Sequence, residues 1–287
     1  MKEDQEKMVI VVPWDFTHVS DFALAHAVKI AVMKKYEIIL LNIVASKTPI
    51  EAIEDARTKI NKICEETSKN YKIVCKPIVK EGSVYSAISE YATQADTKLV
   101  VMGTHGRSRS QKIFGSKALR VLVGSDAPFI IVKSKPLQSE KISNVVFPID
   151  FRWENKEKLQ WAIFIAEAFH SKIHLFKSPH NDSSLQKKVN VNLNFATRFL
   201  KQYEIEYEIH TAPKKAKFSK ETVNFAKSID ADLIIVMTTK HITVLDMIFG
   251  ASEQKIIDND AQIPVMCINP RAGYANMGQF MYGSSTI

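Results

Sequence analysis

Cysteine is scarce in this chain: three residues in 287, at Cys64, Cys75 and Cys267. They are odd in number, scattered and without metal-ligand spacing, so neither a disulfide framework nor a cysteine-based metal module can be read from them. Free thiols of this kind fit a reducing cytoplasm. Cys75 and Cys267 stand in strand-like runs and read as small core residues. Long apolar runs are missing as well. None approaches the roughly 20 residues that a membrane span needs. The first seven residues, Met1 to Lys7, are charged and lead into no apolar signal core. The expectation is a cytoplasmic protein with no membrane contact. Signatures of familiar chemistry are also lacking. There is no Gly-x4-Gly-Lys-Ser/Thr loop, no Gly-x-Gly-x2-Gly, no His-Glu-x2-His, no Cys-x2-Cys and no Gly-x-Ser-x-Gly elbow. The net charge of +8 and pI of about 9.2 could favour anionic partners. However, the lysines are spread over amphipathic helices, with no dense basic stripe interleaved with aromatics. This argues against a nucleic-acid partner.

What is present is a duplication. Val9-Ile10-Val11-Val12-Pro13-Trp14-Asp15-Phe16 is answered by Asn144-Val145-Val146-Phe147-Pro148-Ile149-Asp150-Phe151, with Asp15 and Asp150 135 residues apart (150 − 15). The same offset links Met102 to Met237, Phe114 to Phe249 and Gly115 to Gly250. A period this long is a duplicated domain, not a solenoid unit. With 46% hydrophobic and 24% charged residues, each half can bury a core of its own. The boundaries read as a first domain over 1–138, a second over 139–272 and a tail over 273–287.

Each half alternates strand and helix. In the first, strands are expected at Val9–Val12, Glu37–Val44, Lys72–Val79, Leu99–Met102 and Phe129–Val132. The helices between them include one capped by Ser20 or Asp21, one opened by Pro49, one from Val84 to Ala95 and one over Gly115–Gly124. The second half repeats the order, with strands Val145–Ile149, Lys172–Phe176, Glu206–Thr211, Leu233–Met237 and Val265–Ile268. Its helices are expected at Glu154–His170, Leu185–Tyr203, Lys220–Ile229 and Phe249–Asn259. Such alternation means a parallel sheet with helices on both faces. Trp161 with Ile165, and Phe195, Phe199 and Tyr203 at four-residue steps, read as helix faces turned to the core.

Ligands of an open parallel sheet sit beyond the carboxyl ends of its strands, at the switch point. Three elements of the first half converge there: Asp15 after the first strand, Gly103-Thr104-His105-Gly106 after the fourth, and Gly115-Ser116 at the next helix. Glycines let a backbone approach a ligand closely, and a helix N-terminus with a hydroxyl suits phosphate. Arg107, Arg109 and Lys112 add positive charge to the same loop.

Val12-Pro13-Trp14-Asp15, Met102-Gly103-Thr104-His105-Gly106-Arg107-Ser108 and Phe114-Gly115-Ser116 resemble the universal stress protein fingerprint, Gly-x2-Gly-x9-Gly-Ser/Thr after a strand ending Val-Pro-x-Asp. The likeness extends over both halves, so the chain resembles a tandem universal stress protein. The resemblance implies two doubly wound α/β domains, each a five-stranded parallel sheet flanked by helices, as in the adenine nucleotide alpha hydrolase-like fold. It also implies that the halves pack as an intramolecular pseudo-dimer covering the last strand's edge; a further pairing into a homodimer stays open. It implies ATP or AMP, with or without Mg²⁺, held by Pro13, Trp14, Asp15, Ile43, Met102, Gly103, Gly106, Arg107, Gly115 and Ser116. Two departures stand out. Eight residues, not nine, separate Gly106 from Gly115. Trp14 is bulky, and either stacks on adenine or fills the base pocket. In the second half Thr238, His241 and Ala251 replace Gly103, Gly106 and Ser116, so its phosphate loop is degenerate. The resulting reading is a stress-response protein that binds nucleotide in its first half without turnover. A nucleotide-independent scaffold and a slow ATP hydrolase are its rivals.

Overall fold

The computed structural model describes residues 8–104, 125, 127–136, 141–152, 155–213, 217–238 and 251–269. Gly106, Arg107, Gly115, Ser116, the helix expected over Gly115–Gly124 and the tail from 273 lie outside them.

In the first half the strands are β1 (Val9–Trp14), β2 (Glu37–Val44), β3 (Cys75–Glu81), β4 (Thr97–Gly103) and β5 (Phe129–Val132). The helices are α1 (His18–Lys34), α2 (Ile50–Tyr71) and α3 (Val84–Ala92). In the second half β6 (Asn144–Ile149), β7 (Lys172–Lys177), β8 (Tyr207–Thr211), β9 (Leu233–Met237) and β10 (Val265–Ile268) alternate with α4 (Asn155–Phe169), α5 (Ser183–Gln202), α6 (Phe218–Ser228) and α7 (Ala251–Ile257). Among the described residues no helix is long and apolar enough to cross a membrane.

The apolar runs of β1, β4, β9 and β10 are buried on both sides, as central strands of a helix-covered sheet must be. Their alternate residues divide between two cores. Ile10, Val12, Leu40, Val101, Phe147 and Leu175 face α1, α2, α4 and α5. Val11, Leu41, Val100, Val146, Ile234 and Cys267 face α3, α6 and α7.

The two five-stranded halves meet edge to edge as one sheet, and each covers the last strand of the other, as the resemblance implies. The strand order is β3-β2-β1-β4-β5-β10-β9-β6-β7-β8. Every pairing within a half is parallel, and the halves meet at antiparallel β5·β10, with Ile131 opposite Val265 and Ile130 opposite Met266. Each half thereby covers the hydrogen-bonding edge that the other would leave open, which removes a template for aggregation.

Helix α1 starts two residues before its expected cap. Thr17 takes the extended N-cap conformation without a side-chain bond into the helix. Ser20, inside the first turn, spends its hydroxyl on Asp15 instead.

Candidate functional site

In each half, the central ladder stops short of the strand ends. β1 pairs with β4 only as far as Val11–Val100, yet β1 runs on to Trp14 and β4 to Gly103. β6 pairs with β9 only to Val146–Ile234, although they continue to Ile149 and Met237. These are the two points where the chain leaves one side of a central strand for the other. Strands parting there leave a crevice at their carboxyl ends.

The first crevice gathers part of the expected set. Pro13, Ile43 and Met102 are half-buried, and Ile43 and Met102 pack against the core on the α3 side. Asp15 is exposed at the end of β1. Its Oδ1 accepts the Thr17 backbone N–H at 3.1 Å, the Thr17 hydroxyl at 2.5 Å and the Ser20 hydroxyl at 2.6 Å. Its own N–H donates to Ser20 Oγ at 3.2 Å. One carboxylate thus organises the turn from strand to helix, and Phe16 between them takes a left-handed φ of 61°. Thr17 is not singled out by the sequence, and Ser20 only as a helix cap. The signal available was two hydroxyls within five residues of an aspartate.

Trp14 and Gly103 turn to the opposite face. The Trp14 side chain is 4% exposed and belongs to the core beneath α1 and α2. It offers a ligand on the α3 side neither a stacking surface nor a plug. Its carbonyl accepts Asn42 Nδ2–H at 2.8 Å, while its Nε1 and Asn42 Oδ1 are buried with no hydrogen-bond partner among the described residues. Gly103 is held by packing: a Cβ there would lie 2.2 Å from the Val19 carbonyl oxygen. The space its missing side chain leaves is taken by the first turn of α1.

The second crevice is differently furnished. Arg152, at the position of Thr17, bridges two acids. It donates from Nε to Asp150 Oδ2 at 2.7 Å and from Nη1 to Glu253 Oε1 at 2.6 Å. Its backbone N–H donates to Asp150 Oδ1 at 3.0 Å. Asn192 on α5 donates to the carbonyls of Asp150 and Arg152. Lys158 on α4 is buried over the Phe147 ring and donates to the Pro148 carbonyl. Burial pushes the Lys158 ammonium down to about 7 against the attraction of Asp150. Burial also pushes the Asp150 carboxyl up, but Arg152 and then Lys158 outweigh it and hold it below the ordinary range. Arg152 is held above its own range, because Asp150 and Glu253 together exceed the cost of its burial. At its strand end the second half places its own ion network. Thr238, which replaces Gly103, is buried and donates to Asn269 Oδ1 at 2.5 Å.

Comparison with known proteins agrees with this architecture. Residues 8–133 match the Universal stress protein family. The match lies wholly within the first half of the chain. A universal stress protein of Methanocaldococcus jannaschii is 24% identical over 153 residues, which cover 44% of this chain and 94% of that protein. The crystal structure of a universal stress protein from Archaeoglobus fulgidus superposes with a TM-score of 0.74 at 18% identity, covering 92% of this chain and 98% of that one. At such identity the likeness is one of fold, and it extends through both halves. The cytoplasmic domain of a prokaryotic cation chloride cotransporter shares that fold at 9% identity, with a TM-score of 0.59 over 92% of this chain and 96% of its own. The half that carries this match keeps the strand-end aspartate and the half-buried apolar rim, and commits Trp14 and Gly103 to packing.

Proposed function

We propose that the first half binds an adenine nucleotide, ATP or AMP, at the carboxyl ends of β1 and β4, and that the second half binds none in this mode. The observation that carries this is the contrast at one aligned position. Asp15 is exposed and steadied by two hydroxyls, whereas Asp150 is already neutralised by Arg152. The first site fits a nucleoside: an anchored carboxylate at its mouth suits ribose hydroxyls, and Pro13, Ile43 and Met102 give it an apolar wall. The phosphates would fall to Gly106, Arg107, Gly115 and Ser116, with Mg²⁺ neutralising their charge. The protein then acts in the cytoplasm as a stress-response regulator by shifting between liganded and free populations, without turnover.

The test is thermal unfolding of the full chain with and without millimolar ATP or AMP. Ligand at 100 times its Kd stabilises by about 2.7 kcal/mol. Gly115→Val should abolish the effect and Gly250→Val should leave it intact. Equal effects of the two substitutions would break the asymmetry. No shift at all would favour the nucleotide-independent scaffold, a reading that the packing role of Gly103 already supports. Phosphate release that is lost in Asp15→Ala would instead identify a slow hydrolase.

A further inference from the structure

A cluster of nitrogen and oxygen donors lies away from both crevices, on the outer strands of the second half. His174 on β7 stands opposite Glu208 on β8 in the parallel register, and His210 follows two residues on, along the same face. His174 Nδ1 and His210 Nε2 are 3.2 Å apart, and Glu208 Oε1 is 3.8 Å from that same His210 nitrogen. One ligand atom from each of the three residues lies within 4.8 Å of the others. With ring centroids 5.3 Å apart, the imidazoles meet nearly edge to edge, aiming nitrogens at each other. Phe225 of α6 closes the face, 4.5 Å from the His210 ring and 6.1 Å from His174.

We propose that His174, Glu208 and His210 form a zinc site, with Nδ1, Oε1 and Nε2 as ligands and a fourth position open to solvent. Two zinc–nitrogen bonds of about 2.0–2.1 Å at a tetrahedral angle set their nitrogens about 3.3 Å apart. The 3.2 Å separation of His174 and His210 already meets this requirement. Metal binding would shift the His210 ring proton from Nε2 to Nδ1, so that both facing nitrogens present lone pairs, with Glu208 Oε1 swinging inward to complete the trio.

The surroundings resemble those of a ligand set. His174 Nε2 lies 3.2 Å from Asn144 Oδ1, an acceptor that keeps the proton on Nε2 and leaves the Nδ1 lone pair inward. Outer partners of this kind orient metal-binding histidines. Lys172 bonds Glu208 through Oε2, at 3.0 Å, not through the oxygen facing the histidines, and its charge is shared with Glu206 at 3.3 Å. His210 also borders an open hollow with Glu221, so the free position can be reached from solvent. Imidazole with one carboxylate selects zinc over magnesium or calcium, which prefer all-oxygen sets. The trio is confined to the second half. The equivalent register positions of β2 and β3 hold Ile39, Lys76 and Ile78, placing a cation where the carboxylate would be.

The test uses the full chain, stripped with chelator and titrated with Zn²⁺ against a chromophoric competitor. One equivalent should bind, and the ring resonances of His174 Nδ1 and His210 Nε2 should move to metal-bound positions. His210→Ala, which alters a partly exposed side chain, should keep the far-ultraviolet circular dichroism and weaken binding by about tenfold or more, at least the loss expected of an outer-shell partner. Glu208→Gln should act in the same direction. Absence of stoichiometric Zn²⁺ binding by the unmodified chain would overturn the assignment. So would unchanged affinity in a folded variant carrying H210A and E208Q together.

Discussion

A single methyl group separates two accounts of Gly103. As a phosphate-loop glycine, it would cost nothing to replace in the absence of ligand. As a packing glycine, it is costly to replace even without ligand, because the new carbon meets the Val19 carbonyl oxygen, a backbone atom that cannot swing away. Gly103→Ala is therefore expected to destabilise the nucleotide-free protein by on the order of 2–3 kcal/mol, in the range of overpacked cores. Urea unfolding without nucleotide measures it, and an unchanged midpoint would return the glycine to a purely ligand-facing role. Lys158 gives the second residue-scale prediction. The unfolded chain protonates this lysine up to about pH 10.4. The folded protein protonates it only up to about 7. Between these values the unfolded state holds more protons, so the Lys158 contribution to stability rises with pH from about 7 upward and is level below. Lys158→Met should flatten that rise. Urea midpoints at pH 7 and pH 9 compare the two proteins. A steeper pH dependence in the variant would count against buried Lys158 as the source.

Elements show how far the sequence could be read. Strands β5 and β10 were found where short apolar runs put them, and α2 where Pro49 opens it, because these signals are local. The start of α1 was misplaced because Ser20 has two uses, capping a helix or bonding a carboxylate, and only the folded turn shows that Asp15 claims it. β3 begins at Cys75, not Lys72, since Lys72 is spent as the left-handed C-cap of α2. Arg152 was invisible as a site residue for a similar reason. The 135-residue offset aligns it with Thr17, but its second acid, Glu253, arrives from a helix 101 residues later. Helix ends also yield a prediction. With few glycines in the chain, α1 and α4 stop on exposed left-handed residues, Lys35 at φ 57° and His170 at φ 55°. In each case the next N–H bonds back five residues, Tyr36 to Ala31 and Ser171 to Ala166, as in a Schellman motif. Left-handed backbone costs a non-glycine residue roughly 1–2 kcal/mol. Glycine gives back part of this through its looser unfolded chain. Lys35→Gly and His170→Gly should each stabilise by about 0.5–1 kcal/mol, additively because they cap different helices. Denaturant melts of the singles and the double variant would show it, and destabilisation by either would mean that its side chain carries more than exposure suggests.

Across the whole molecule, the antiparallel β5·β10 seam makes one sheet of two domains, a feature that no local signal encodes, because both strands read as ordinary last strands of their own repeat. The cores follow the sheet: residues of the two halves belong to common clusters on both of its faces. On the α1 face the contact is aromatic and cationic. Phe164 of α4 stacks on Tyr36 at 6.3 Å and lies under Lys34 at 4.5 Å and Lys98 at 5.7 Å, with Lys98 also over Trp161 at 5.2 Å. Tyr36, Lys34 and Lys98 come from the first half, and Phe164 and Trp161 from the second. Truncating Phe164 therefore removes interactions that cross the seam and should cost both halves together. The expected loss for Phe164→Ala is on the order of 2 kcal/mol, below the value for a fully buried phenylalanine because this ring is only partly covered. The native chain should unfold in one transition, and Trp14 and Trp161, one in each half, allow this to be seen separately. Urea melts of a Trp14-only and a Trp161-only protein should coincide in midpoint and shift together when Phe164→Ala is added. Were only the Trp161 signal to move, the halves would be energetically independent despite their shared sheet, and a nucleotide bound at β1 could not be felt across β10.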